Sequence, residues 1–111
     1  MDHVTRLVVE IHVPLTPATA AANGDYQYPW IDEVEDHLAA LEEAGELEVL
    51  DDGEEVGDEY VFFVTGRPEQ QLLRGASRVA ARDGVPAGAY AVVSTDDSGE
   101  VGAGRRVDLP V

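Results

Sequence analysis

Between Thr5 and Val13 apolar residues alternate along the chain, with Leu7, Val9, Ile11 and Val13 on one side and Arg6, Val8, Glu10 and His12 on the other. This is the period-two signature of a half-buried strand, and Pro14 predicts its end. Helical spacing takes over after Pro29, whose missing N–H suits a first helical position. Ile31, Val34, Leu38 and Leu41 then form a stripe, Asp32, Glu33, Glu35 and Asp36 load the first two turns, and Gly45 predicts the C-terminal cap. The segment from Leu15 to Tyr28 carries Pro17 and Asn23-Gly24 and reads as a long loop.

Leu47 and Val49 alternate with Glu46 and Glu48 in a short strand, Asp51 to Gly57 reads as an acidic turn, and Tyr60 to Thr65 as a second strand, so the pair predicts a hairpin. The first of these strands carries charge as an edge strand does. A second helix follows Gly66 and Pro68. Leu72, Leu73, Ala76, Val79 and Ala80 form its apolar stripe, Arg74, Arg78 and Arg82 recur every fourth residue, and Gly84 and Pro86 predict its end. Ala89 to Thr95 reads as a strand, Asp96 to Gly99 as a turn, and Arg105 to Leu109 as a last strand folding back.

The predicted order is strand, helix, strand, strand, helix, strand, with one more strand at the C-terminus. It resembles the ferredoxin-like split βαβ plait, an α+β fold in which two helices cover one face of an antiparallel sheet. The resemblance rests on element order and covers most of the chain. It implies one ferredoxin-like domain over residues 1–111 and, because this fold hosts many unrelated activities, it transfers no function.

Composition changes the picture most through charge. Of 111 residues 23 are acidic and seven basic, all of these arginine, giving a net charge of −16. Such a chain repels phosphate backbones and anionic lipid, so neither nucleic acid nor membrane is expected as a partner. The acidity is either a solvated coat or a surface for a basic protein. There is no cysteine, which excludes thiol chemistry and cysteine-based metal sites. The N-terminus has no basic leader and no apolar span, and a cytoplasmic protein is expected.

Candidate chemistry is sparse. Glu10 and His12 project from the same face of the first strand and could serve as two ligands or an acid/base pair, but a metal needs a third partner. Residues 96–100 space oxygen ligands as a calcium loop does, yet lack its later glycine and glutamate; Gly102-Ala103-Gly104 lacks the helix a dinucleotide fingerprint needs. Ser77, Ser94 and Ser98 lie in no nucleophile elbow. Tyr60 to Val64 resembles the base-stacking strand of RNA-recognition plaits, but Asp58 and Glu59 stand where that motif is basic. No cofactor is expected. The arginine stripe is expected to neutralise acids of the first helix.

These features favour a non-enzymatic acidic interaction module, one form of which is an inhibitor or immunity-like protein masking a basic enzyme. Its candidate surfaces are Asp32, Glu35 and Asp36 on the first helix, and Val61 and Phe63 on a strand that is apolar on both faces and could pair two copies in a homodimer. The alternative is a small-molecule-binding or catalytic dimeric plait with its pocket between the open sheet face and the 15–28 loop. The charge alone makes one prediction. Because the compact state repels itself, and screening shortens the Debye length from about 10 Å at 0.1 M to about 3 Å at 1 M, the thermal midpoint at neutral pH should rise with chloride salt over that range; a flat or falling midpoint would show the acids already compensated locally.

Overall fold

The computed structural model describes residues 7–15, 29–82, 84–95 and 104–109. The described chain runs β1 (Leu7–Pro14), α1 (Pro29–Glu43), β2 (Glu48–Val56), β3 (Glu59–Thr65), α2 (Glu69–Ala80), β4 (Tyr90–Thr95) and β5 (Arg105–Asp108). The five strands form one sheet in the order β2-β3-β1-β4-β5, antiparallel at each pairing. The protein is thus an α+β fold of two helices and an antiparallel sheet. The expected turns and loops at residues 16–28 and 96–99 lie outside the described residues.

Alternation along β1 sends Val9, Ile11 and Val13 to the face shared with Phe62, Val64 and Ala91. Both helices lay their stripes on that face: Ile31, Val34, Leu38 and Leu41 from α1, joined by Trp30, and Leu72, Leu73, Ala76 and Val79 from α2. Each helix is therefore held by the apolar spacing read from the sequence rather than by propensity alone. Gly45 ends α1 as expected. Its φ of +79° lets its N–H reach the Glu42 carbonyl and the Glu46 N–H reach that of Leu41, the Schellman arrangement.

Two expectations are corrected. The acidic stretch from Asp51 is strand rather than turn: β2 continues to Val56 with register shifts between Val49 and Asp51 and between Asp51 and Glu54, and the turn narrows to Gly57 and Asp58, with Gly57 at φ +60°. β2 is an edge strand, as expected, so its acidic residues tolerate the ladder. Bulges absorb the extra residues. The second correction concerns the arginine stripe. Arg78 pairs at 3.3 Å with Glu46, which lies just beyond α1 rather than within the helix.

Core and surface of α2 should respond differently to truncation. Leu72 is fully buried and Arg74 exposed. Leu72→Ala should cost about 2–5 kcal/mol in urea unfolding, and Arg74→Ala no more than about 0.5 kcal/mol; comparable losses would place the stripe elsewhere.

Candidate functional site

The alternation that buries Val9, Ile11 and Val13 under the helices turns Val8, Glu10 and His12 to the opposite face of the sheet. Register then chooses their neighbours. His12 lies across from Val61 on β3 and from Tyr90 on β4, and Glu10 across from Phe63 and Val92. Glu59, opposite Pro14, is one step diagonal to His12 on the same face.

These side chains close into a network. Glu10 and His12 are 4% and 3% exposed, and Glu10 Oε1 lies 2.9 Å from His12 Nε2. His12 Nδ1 lies 3.0 Å from Glu59 Oε1, and the Tyr90 hydroxyl donates to that same oxygen at 2.7 Å. The Tyr90 ring stacks on the imidazole, with centroids 4.7 Å apart and planes 10° from parallel. On the other side the Arg106 guanidinium sits 3.9 Å from the Tyr90 ring centroid, while its Nε donates to Asp108 Oδ1 at 3.1 Å. Glu10 and His12, expected on one face of the first strand, are thus in hydrogen-bond contact there, and Glu59, Tyr90 and Arg106 join them. No spacing in the chain announced those three, since only strand register brings them together.

Donor counting limits what the network can do. A neutral imidazole offers one N–H and one acceptor, while carboxylates only accept, so satisfying both ring contacts takes a proton at each nitrogen–oxygen pair. Neither ring nitrogen is left over for a metal or a substrate proton. Among the described residues no group of three or more His, Asp or Glu is placed to hold a metal ion. Burial, and then the hydrogen bond to Glu59, push the Tyr90 hydroxyl up to about 12. His37, on α1 facing α2, is lowered by burial and by the charges of Arg82 and Arg78.

The other candidate residues lie apart from this network. Asp32, Glu35 and Asp36 are exposed on α1, away from its buried stripe. Val61 and Phe63 share the face of His12, but Val61 has no exposed surface and Phe63 is half-buried. Periodicity could not say which residues of β3 turn outward, and register settles it. No pattern in the chain announces a groove of about 190 Å³ between α1 and β2, lined by Glu35, Leu38, Ala39 and Glu42 on the helix and by Val49 and Gly53 on the strand, with Phe62 of β3 beneath. A second groove, of about 280 Å³, separates Leu41, Glu46 and Leu47 from Gln71, Arg74, Gly75 and Arg78. The pocket expected against the 15–28 loop involves residues outside the described ones. No described helix is long and apolar enough to cross a membrane.

The chain matches no protein family, no curated protein and no solved structure.

Two measurements check the network. His12→Ala removes the imidazole from the buried Glu10 carboxylate and should cost about 3–5 kcal/mol of stability; a loss below about 1 kcal/mol would mean the contact is idle. The raised Tyr90 value favours its neutral form in the folded state. Its contribution is therefore intact below the ordinary tyrosine value of about 10 and is lost as pH rises through about 12. Urea unfolding at about pH 9 and about pH 11 should show a steeper alkaline loss for the wild type than for Tyr90→Phe, and equal slopes would contradict the bond to Glu59.

Proposed function

We propose that this chain is a non-enzymatic interaction module, a ferredoxin-like plait with one added strand, that binds a basic protein through the outer face of α1. The observation that carries this reading is the make-up of that face. Asp32, Glu33, Glu35, Asp36, Glu42 and Glu43 are all exposed, and the helix contains no Lys or Arg to offset them. The neighbouring edge strand adds Glu48, Glu54 and Glu55, also exposed. On a chain carrying −16, this surface steers a cationic partner toward α1 and repels nucleic acid and anionic lipid. The plait is supported by element order and by the two helices sharing one sheet face.

A second reading, a small-molecule site on the open sheet face, is favoured by the buried Glu10–His12–Glu59 network. It is the weaker of the two because both His12 nitrogens already face carboxylates.

The test replaces Asp32, Glu35 and Asp36 by Asn, Gln and Asn, which removes three charges at nearly constant shape. Stability should move by little more than about 1 kcal/mol, because exposed pairs contribute weakly. Association with the basic partner should slow markedly and lose much of its salt dependence. An unchanged on-rate would remove α1 as the docking face.

A further inference from the structure

We propose that the groove between α1 and β2 is a receptacle for one arginine side chain of the basic partner. This rests on α1 being the docking face and goes further by naming the residue the partner inserts.

The groove has the two features an arginine needs. Its lining is apolar at depth, with the buried Phe62 beneath and the buried Leu38 and half-buried Val49 low on its two walls. Its helical wall ends in carboxylates, Glu35 and Glu42, seven residues and so about 10 Å apart along the axis. Arginine buries its methylene stem along apolar surface and keeps its charged head at the polar edge. An aliphatic side chain would bring apolar surface against both carboxylates and return no hydrogen bond, and an anion would be repelled.

Three details suit this occupant. Glu42 is held in place because its Oε2 accepts the Val49 main-chain N–H at 2.9 Å, which uses one of about four lone-pair sites on the carboxylate. Ala39, exposed on the helical wall, is small and leaves the mouth open. Gly53 brings β2 so close to β3 that a Cβ there would lie 2.5 Å from Tyr60 Cε1 and 3.1 Å from the Val61 carbonyl oxygen, so no side chain rises from that position into the groove. A planar guanidinium presents its donors in a fork that matches a carboxylate, which a lysine ammonium does not, and this selects arginine.

The test uses capped Gly-Arg-Gly peptide followed by amide NMR, with Gly-Lys-Gly and the uncharged Gly-citrulline-Gly as comparisons. The arginine peptide should shift the amides of Leu38, Ala39, Val49 and Gly53 saturably, and citrulline should bind about tenfold more weakly or worse. Ala39→Phe fills the groove without changing charge and should weaken the arginine peptide by at least about tenfold. Asp32→Asn with Asp36→Asn, which leaves the groove lining intact, should weaken it by less than about threefold. Amide dispersion confirms that each variant is folded, and Glu42→Gln repeats the test without added bulk. Equal binding of lysine or citrulline, shifts spread evenly over all acidic residues, or full binding by Ala39→Phe would each overturn the proposal. The two readings fail separately. If Ala39→Phe leaves the partner's binding intact while neutralising α1 abolishes it, the groove is wrong and the docking face stands. If the peptide binds the groove while neutralising α1 leaves the partner's association unchanged, the docking face is wrong.

Discussion

The fold depends on one constraint, the position of β1 at the centre of the sheet. It is hydrogen-bonded on both sides, to β3 and to β4, so neither edge of its backbone is open, and both its faces are buried. One face is met by the helices through Val9, Ile11 and Val13, where area burial is the stabilising term. The other carries Glu10 and His12, whose burial would be costly without partners. Their compensation comes from Glu59 and Tyr90 on the flanking strands, and this ties the register of β3 and β4 to the chemistry of β1.

That arrangement bears on function. Carboxylates, imidazole, phenol and guanidinium in one network are the groups from which acid/base sites are built, but here they are turned toward one another. The imidazole nitrogens face Glu59 and Glu10, the ring face is covered by Tyr90, and the phenol is pushed away from neutral pH. The proposed docking surface lies elsewhere, on α1 and the β2 edge beside it, where exposed charge has one sign. A surface of this kind governs encounter rates and partner choice more than affinity, and the proposed arginine receptacle would add the shape that the field alone lacks.

Much of the fold was legible because local rules act within single elements. Alternation from Leu7 to Val13 marked β1, the Ile31, Val34, Leu38 and Leu41 spacing marked α1, and Gly45 marked its end. The misreading of Asp51 to Val56 as turn has a physical cause: acidic residues and Gly53 weaken strand propensity, but an edge strand with bulges tolerates them because one side of its ladder faces away from the sheet. The polar network was half legible. Glu10 and His12 share a strand, and a two-residue spacing shows they share a face. Glu59, Tyr90 and Arg106 come from three other strands, 47 or more residues away from His12, and only the pairing register unites them. The partner of Arg78 is not legible from helix spacing, since side-by-side helices point to the acids of α1 while the contact is made to Glu46 in the connection to β2.

The central claim is that the sheet face is closed on itself and that recognition belongs to α1 and β2. The most direct test is the imidazole of His12, observed by long-range proton–nitrogen NMR at neutral pH, alone and with a basic protein bound. The account predicts that both ring nitrogens are hydrogen-bonded to their carboxylates and that their signals stay in place on binding, while amides of α1 and β2 move. A ring with one free nitrogen, or ring signals that shift when the partner binds, would contradict it and place the working site on the sheet face.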